Sequence, residues 1–242
     1  MLRAMSRDAP PDVKVLAFDV FGTVVDWRTG VITDLTAIAA ERHLTLDAPA
    51  LADTWRRRYQ PFIERVRRRE IAWAVLDDLH RAALKELVGE VGLSALTEAD
   101  LDRLVLAWHR LPPWSDASAG LSRLRDRYVT ATLSNGNMSL LVDLARHGFL
   151  NFDCILSTEL VQTYKPDPRT YQMVSRLLAV QPQQVMMVAA HPYDLSATAA
   201  EGLRPAFVRL PPAWGRRVTE APPSPVPILA GDFKGLAAPP AR

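Results

Sequence analysis

Cysteine, long apolar runs and an excess of one charge are all scarce in this sequence. The single cysteine, Cys154, excludes an intramolecular disulfide. No apolar run approaches the roughly 20 residues that a membrane-spanning helix needs, and the polar stretch 1–14 lacks the apolar segment of a signal peptide. We therefore predict a cytoplasmic protein without a membrane partner. Cys154 is predicted to be a buried strand residue, with a reactive thiol as the alternative.

The charges are nearly balanced. Lysine and arginine number 29, and aspartate and glutamate number 27, which gives a net charge of +2. This value is too small to indicate a nucleic acid or a membrane surface as a partner. Apolar residues make up 48% of the 242 residues, which suits one well-buried domain or a core with a smaller insertion.

Short apolar runs rich in β-branched residues predict strands that are covered on both faces, as in a parallel sheet. The runs are 15–20, 129–133, 154–156, 185–190 and 206–210. Helix-like stretches separate the last four of them, at 138–147, 168–178 and 195–201. This alternation predicts an α/β fold with a doubly wound parallel sheet of five to six strands.

The stretch after the first predicted strand breaks the alternation. It contains no convincing strand, and its apolar residues recur at spacings of three and four, which predicts about four helices. We therefore predict a helical-bundle cap domain at 28–112, inserted into a core domain formed by 1–27 and 113–242. The proline-rich tail beyond residue 210 is expected to be extended along the surface of the core.

Two polar sequences follow the first two predicted strands, where open α/β sheets bind ligands. Asp19 follows the first strand, and Gly22 permits a tight turn just after it. Ser134 and Asn135 follow the second, at the start of a predicted helix whose free N–H groups can bind an anion. The alternatives are an aspartate that caps a turn and an ordinary Ser-Asn-Gly turn.

Two further polar sequences occur in equivalent places. Lys165 precedes Pro166 and is therefore held in extended backbone, although an isolated lysine is usually a solvated surface charge. His191 and Asp194 follow the fourth strand. Four polar sites at one sheet edge are an improbable coincidence, so the sequence predicts an active site there.

In this order the four sequences resemble the motifs of the haloacid dehalogenase superfamily, from residue 13 to about residue 210. Within it the chain resembles the L-2-haloacid dehalogenases of type II. The resemblance implies a Rossmann-like core and a hydrolase that forms an ester through Asp19. Its substrates would be short 2-haloalkanoic acids, including haloacetates, and it would need neither a metal nor a cofactor.

The alternative is a Mg²⁺-dependent phosphatase of the same superfamily. These phosphatases carry a second aspartate, a general acid, two residues after the nucleophile, and this chain has Phe21 there. They also hold Mg²⁺ with an acidic pair in the fourth motif, where this chain offers only Asp194. A halide leaves without protonation, and a haloacid monoanion has little need of Mg²⁺. The sequence therefore favours dehalogenation.

An arginine in the insertion provides a second sequence feature that bears on the choice between a dehalogenase and a phosphatase. Arg56, after Trp55, resembles the dehalogenase arginine that accepts the departing halide, where charge develops as the bond breaks. The alternative is a solvated helix face or a nucleic-acid patch, because arginines cluster at positions 56, 57, 58, 67, 68 and 69. We assign a catalytic role to Arg56 alone and predict no nucleic-acid partner.

The resemblance implies the remaining roles. The predicted catalytic residues are Asp19, Lys165, Asp194, His191 and Thr23. The predicted substrate- and halide-binding residues are Arg56, Ser134, Asn135, Tyr171, Tyr193, Val20, Phe21 and Trp73. Lys165 would keep Asp19 ionised, since a nearby cation lowers the pKa of a carboxylate. Arg56, Asn135 and the ring of Tyr193 would hold the halide.

The other predicted contacts concern the substrate carboxylate and its surroundings. The carboxylate would bind Ser134 and the backbone N–H groups near Val20 and Phe21. Trp73 would add an apolar wall. Thr23 and Tyr171 match family positions that orient Asp19 and the carboxylate region.

The fourth motif departs from the family pattern. Ala189 and His191 stand where the better-known dehalogenases of this type have serine and asparagine. Because imidazole accepts a proton near neutral pH, His191 with Asp194 would activate the hydrolytic water. A hydrogen bond to a hard halide, as in relatives that act on fluoroacetate, and simple packing beside Pro192 are the alternatives. The relatives are commonly dimers, so a homodimer is expected.

Overall fold

A parallel sheet forms the centre of the α/β part of the chain. The computed structural model describes residues 12–93, 95–209 and 228–237. Its strands lie in the order β2-β1-β3-β4-β5. They are β1 (Val15–Phe18), β2 (Val129–Thr132), β3 (Val185–Ala189), β4 (Arg204–Val208) and β5 (Ile228–Ala230), and every paired neighbour is parallel. The predicted α/β fold with a parallel sheet is confirmed.

The two faces of the sheet contact different apolar clusters. In β1, Leu16 and Phe18 pack into one cluster, whereas Val15 and Ala17 pack into the other. This alternation follows from the two-residue period of a strand. Because both faces are covered, the two central strands β1 and β3 are apolar at every position, which is why their sequences show continuous apolar runs.

Helices connect the strands and cover the sheet. Before β2 lie α1 (Trp27–Glu41), α2 (Ala48–Arg67), α3 (Leu76–Glu90), α4 (Glu98–Val105), a 3-10 turn (Leu106–Arg110) and α5 (Ala117–Arg125). After β2 lie α6 (Met138–His147), α7 (Pro168–Leu177), α8 (Pro192–Ala200) and α9 (Phe233–Ala237). In the described ranges, none of these helices combines the length and apolarity that crossing a bilayer requires.

The segment that follows β1 is helical, as the apolar spacing predicts. Helices α1 to α4 succeed one another there, and the described residues between β1 and β2 form no named strand. Helix α2 contacts both α1 and α3, and α3 contacts α4. Trp55 of α2 and Trp108 of the 3-10 turn are fully buried among them. The aromatic and apolar face of each helix therefore points into a shared interior.

The predicted strand at 154–156 is wrong. Cys154 forms only an isolated bridge with Ala131, at the edge of the sheet beside β2. The hydroxyl of Thr132 donates to the carbonyl oxygen of Leu156 at 3.0 Å and accepts from its backbone N–H at 2.8 Å. Because a side chain replaces part of the backbone ladder here, the apolar run does not continue as a strand. Cys154 is half-buried.

The C-terminal elements were not predicted. Strand β5 pairs with β4, and α9 packs on α5 so closely that a Cβ atom added to Gly120 would lie 2.6 Å from the Cβ atom of Phe233. Most of the proline-rich tail, residues 210–227, lies outside the described residues. Proline is unusual in strands and helices, which is why the sequence around these two elements gave no signal for them.

Candidate active site

The end of β1 places Asp19 at the carboxyl edge of the sheet. Its backbone N–H donates to the carbonyl oxygen of Val188 in β3, at 3.0 Å. The chain then turns through Gly22, whose φ of +83° suits glycine and whose N–H donates to Val25 O at 3.0 Å. Asp19 is therefore held between two central strands at the point where the backbone leaves the sheet.

The carboxylate of Asp19 has three polar neighbours. The ammonium of Lys165 lies 3.2 Å from Oδ1, and the hydroxyl of Thr23 donates to Oδ2 at 2.7 Å. The Thr23 hydroxyl in turn accepts the N–H of Ala190 at 3.0 Å. His191 Nε2 lies 3.6 Å from Oδ2. Two of these contacts come from the loop after β3, so strand ends distant in sequence fix the position of one carboxylate.

Lys165 joins two buried carboxylates. Besides Asp19, its ammonium donates to Asp194 Oδ2 at 2.7 Å, and the hydroxyl of Tyr171 donates to Asp194 Oδ1 at 2.6 Å. The side chains of Asp194 and Tyr171 are fully buried. The backbone N–H of Lys165 donates to Asn135 Oδ1 at 2.9 Å. The second, third and fourth motifs therefore meet at this lysine.

These contacts decide the charge of the buried groups. Burial by itself raises the pKa of Asp19, but the charge of Lys165, with His191 and the hydrogen bonds, outweighs it and lowers the pKa below the ordinary value. Burial lowers the pKa of Lys165, and the two carboxylates raise it above its usual range. Burial raises the pKa of Asp194. Asp19 is the carboxylate that stays ionised and partly reachable, which suits a nucleophile.

The ring of His191 lies beside the nucleophile. Its Nε2 is 3.0 Å from the carbonyl oxygen of Phe21. A carbonyl oxygen only accepts hydrogen bonds, so this contact requires a hydrogen on Nε2 and leaves Nδ1 as the basic atom of the neutral ring. The exposed ring of Tyr193 stacks on the imidazole, with centroids 5.7 Å apart.

Arg56 of α2 lies in an aromatic cage. Its guanidinium carbon is 5.0 to 6.0 Å from four ring centroids, those of Phe21, Trp27, Tyr59 and Trp108. Its Nη1 is buried without a hydrogen-bond partner in the part of the chain that the structure describes. Burial lowers the pKa of Arg56. By contrast, the neighbouring Arg58 and Arg67 pair with glutamates. Arg56 is thus a desolvated cation available to an anion.

Several other predicted site residues shape the surrounding loops. Ser134 is fully buried, and its hydroxyl oxygen accepts the N–H of Gly136 at 3.3 Å. Val20 and Phe21 are also buried. Trp73 stacks on the ring of Tyr164, the residue before Lys165, with centroids 4.8 Å apart. Ser134 and Trp73 therefore support the loops that carry the polar groups.

The donor set does not fit a magnesium ion. Both oxygens of Asp194 already accept hydrogen bonds, from Lys165 and Tyr171. The ammonium of Lys165 lies between the two carboxylates, where a phosphatase of this kind would need a divalent cation. Across residues 12–93, 95–209 and 228–237, no three histidine, cysteine, aspartate or glutamate side chains are arranged to hold a metal.

Comparison with known proteins gives the family. Residues 13–202 match the family model of the haloacid dehalogenase-like hydrolases. The chain belongs to this family. It is 30% identical over 198 residues to (S)-2-haloacid dehalogenase 4A of Burkholderia cepacia, a match that covers 78% of this chain and 80% of that protein. It is 31% identical over 193 residues to (S)-2-haloacid dehalogenase 1 of Pseudomonas sp. strain CBS-3, covering 78% and 82%.

Two solved structures resemble this haloacid dehalogenase-like hydrolase over nearly its whole length. One is an L-2-haloacid dehalogenase, with a TM-score of 0.89 and 43% identity over 93% of this chain and 97% of that one. The other is a defluorinating L-2-haloacid dehalogenase, with a TM-score of 0.90 and 39% identity over 96% and 98%. The resemblance read from the four motifs is confirmed.

Sequence reasoning placed Lys165 and Thr23 beside Asp19, where the structure has them, but it missed the second contact of Lys165, with Asp194. Tyr171, predicted near the substrate carboxylate, is buried and donates to Asp194 instead. The aromatic cage was also missed, although one signal was present. Tyr59 follows Trp55 by four residues, so both lie on one face of α2, and Arg56 lies next to that face.

Proposed function

We propose that this chain is an (S)-2-haloacid dehalogenase, which hydrolyses short 2-haloalkanoic acids and haloacetates to 2-hydroxy acids. One observation carries the proposal: an ionised Asp19 lies near a desolvated Arg56 whose Nη1 has no partner among the described residues, while Phe21 stands in place of the general acid of a phosphatase. This combination suits a leaving group that departs as an anion and needs no proton. The named relatives, (S)-2-haloacid dehalogenases at 30–31% identity, support the same reaction.

In the first step Asp19 attacks the α-carbon of the substrate from the side opposite the halogen. A carbon–oxygen bond forms as the carbon–halogen bond breaks, and the halide leaves with the bonding electrons. Thr23 and Lys165 hold the carboxylate in one orientation, at 2.7 and 3.2 Å. Arg56 stabilises the charge that appears on the halogen only as the bond breaks, which accelerates the step.

In the second step water attacks the carbonyl carbon of the ester and regenerates Asp19. We assign the proton acceptor to Nδ1 of His191, because Nε2 donates to Phe21 O. Asp194 acts mainly through Lys165, since both of its oxygens are engaged and its side chain is fully buried. The bond between the carbonyl carbon and the ester oxygen then breaks, and the protonated imidazole returns its proton to the leaving oxygen. The 2-hydroxy acid departs with a hydroxyl oxygen that comes from Asp19.

The substrate contacts are assigned as follows. Asn135 and the exposed ring of Tyr193 border the halide, together with Arg56. The loop that Ser134 supports, and the backbone after Asp19 at Val20 and Phe21, receive the substrate carboxylate. We place Trp73 and Tyr171 behind this layer, because their contacts are with Tyr164 and Asp194.

We extend the proposal to the organisation of the molecule. Residues 28–112 form a helical cap domain over a Rossmann-like core built from 1–27 and 113–242, since α1 to α4 contact one another and follow β1 directly. A homodimer in the cytoplasm is the assembly and location that the family resemblance predicts. Light scattering of the purified protein at several concentrations tests the dimer.

A panel of haloacids tests the proposed function. The purified protein is incubated with chloro-, bromo- and fluoroacetate and with each enantiomer of 2-chloropropionate, and halide release is measured with EDTA present. We expect release from the L-enantiomer alone and from at least one haloacetate, and loss of that release in D19A. Phosphate release from a phosphomonoester that requires Mg²⁺, with no halide from any haloacid, would mean that the chain is a phosphatase.

A further inference from the structure

A second buried side chain, His80 of α3, lies in the aromatic cluster of Arg56. Its imidazole stacks on the indole of Trp108 with centroids 4.1 Å apart, and its edge meets the ring of Tyr59 at 4.7 Å. The guanidinium carbon of Arg56 lies 5.9 and 5.0 Å from the same two rings. His80 and Arg56 therefore share two walls of one cluster, although neither the motifs nor the helix pattern indicated His80.

Polar atoms in this cluster lack partners. Within the described ranges, neither ring nitrogen of His80 has a hydrogen-bond partner, and the same holds for Trp108 Nε1 and Arg56 Nη1, all of them buried. Folded proteins almost always satisfy buried donors, with protein groups or with a bound molecule. Each of the three neighbouring side chains carries an N–H group that lacks a partner among the described residues, which points to an acceptor from outside those residues.

The charge of the cluster narrows the choice of acceptor. Burial, with the charge of Arg56 and a smaller effect of His109, lowers the pKa of His80 well below its ordinary value. His80 is therefore a neutral N–H donor at neutral pH, next to the cation of Arg56 and the N–H of Trp108. Because aromatic rings surround these donors closely, the acceptor must be small, and a halide is a spherical anion that can accept several hydrogen bonds.

We propose that His80 and Trp108 are halide-binding residues. The halide leaves the substrate with both electrons of its bond to carbon and is held by Arg56 together with the N–H groups of His80 and Trp108. No proton moves, and each hydrogen stays on its nitrogen. This inference rests on the proposed dehalogenase function and deepens it, because the affinity for the halide then depends on two neutral donors beyond the predicted site residues.

Halide binding to three variants tests the proposal. Chloride and bromide, added as sodium salts, are titrated into wild type, H80F and W108F, and binding is measured by tryptophan fluorescence and by inhibition of turnover. Each variant keeps an aromatic ring but removes a donor to an anion, so we expect affinity to fall by about tenfold to a hundredfold. W55F is the matched control, since Trp55 Nε1 already donates to the backbone oxygen of His80 at 2.8 Å.

The control separates binding from folding. W55F is expected to melt at a lower temperature while its halide affinity stays within twofold of wild type. Wild-type halide affinity in folded H80F and W108F would overturn the proposal and leave water as the partner of these donors. If the variants do not fold, anomalous scattering from a bromide-soaked wild-type crystal locates the bound bromide and so tests the proposal. Bromide bonded to His80 and Trp108 supports the proposal, and bromide bound to Arg56 away from both contradicts it.

The wild-type assay distinguishes this inference from the proposed function. Bromide bound between Arg56 and His80 in a protein that releases no halide from any haloacid would refute the dehalogenase function but not the site. Halide release by a protein that binds bromide elsewhere would refute the site alone.

Discussion

At the scale of single residues, Lys165 is the group on which the active site depends most. It is almost fully buried and pairs with two carboxylates, Asp19 and Asp194. Its sequence context predicted an extended, fixed backbone but not this double contact. The contact arises because the first turn of α8 and the loop before α7 reach the same edge of the sheet. No local sequence pattern encodes that proximity.

Replacing Lys165 by methionine should disable the nucleophile. The lysine lowers the pKa of Asp19, so in K165M that pKa rises and the acid limb of the activity profile moves to higher pH. Two buried carboxylates without their cation should also cost about 3–5 kcal/mol of unfolding free energy. Urea denaturation and a pH–rate profile measure both effects. K85M, at an exposed lysine, is the control and should change stability by less than about 0.5 kcal/mol.

The imidazole of His191 should matter for the second chemical step only. In H191F, the first turnover should release halide at a nearly normal rate, and hydrolysis of the ester should slow by about a hundredfold. Rapid-quench kinetics would then show a burst of one halide per active site. H191N, whose amide side chain has no basic nitrogen, should show the same burst and the same slow second step. A uniform loss of both steps in H191F would instead place the ring in halide or carboxylate binding.

At the scale of elements, one histidine links the helical segment to the α/β part. His109, in the 3-10 turn, lies 3.0 Å from Asp77 of α3 and 2.8 Å from Asp143 of α6. Asp77 also accepts the side-chain N–H of Asn137, the residue before α6, at 2.8 Å. This contact holds α3 against the loop of the second motif.

The link should make stability depend on pH. Burial lowers the pKa of His109, but the hydrogen bonds to Asp77 and Asp143 outweigh it and raise the pKa above its ordinary value. The charged form is therefore favoured in the fold. Its contribution is complete below the unfolded pKa, near 6.5, and is lost as the pH rises through the higher folded pKa.

Urea denaturation at a series of pH values from 6 upward measures this effect. Wild type should lose stability as the pH rises, and H109Q should lose less of it. His80, whose pKa His109 helps to lower, stays neutral and so adds little to this dependence. Parallel pH curves for wild type and H109Q would contradict the assignment.

The packing of α9 on α5 can be tested by replacing a glycine at the contact, with a glycine of another helix as the control. A Cβ atom on Gly120 would meet Phe233 at 2.6 Å, whereas one on Gly89 of α3 would meet nothing within 4 Å. G120A should therefore destabilise the fold by about 1–3 kcal/mol through overpacking. G89A should stabilise it by about 0.5–1 kcal/mol, because alanine is the better helix former. Melting curves of both variants measure these changes in stability. Stabilisation by G120A would mean that α9 does not pack against α5 at this position.

At the scale of the whole molecule, the sequence predicted the class of fold and the edge of the sheet that carries the site. Buried parallel strands leave continuous apolar runs, and their carboxyl ends must share one edge, so Asp19 was found by its position after β1. The role of Lys165 came from the family resemblance, because the strand predicted before it, 154–156, does not form. The false strand at 154–156 and the missed β5 show the limit. Both errors concern strand pairing at the edges of the sheet. At one edge the side chain of Thr132 bonds to the backbone of Leu156 in place of a neighbouring strand, and at the other edge β5, a short segment after several prolines, pairs with β4.

The helical segment shows a different limit. Apolar spacing predicted the helices, but it could not show that Arg56 would face a cage of four rings that come from several elements. That cage makes an arginine chemically distinct from its paired neighbours in the same basic cluster. Residues 28–112 as a cap domain and the roles of individual site residues stay predictions until they are tested.

The central claim is that an oxygen of Asp19 becomes bonded to the substrate carbon, and a single turnover in H₂¹⁸O tests it directly. With enzyme in excess over L-2-chloropropionate, we predict that ¹⁸O appears in the side chain of Asp19, found by mass spectrometry of its peptide, while the hydroxyl of the released lactate carries ¹⁶O. Label in the lactate hydroxyl after the first turnover, with none in Asp19, would mean that water attacks the substrate carbon itself and would contradict this account.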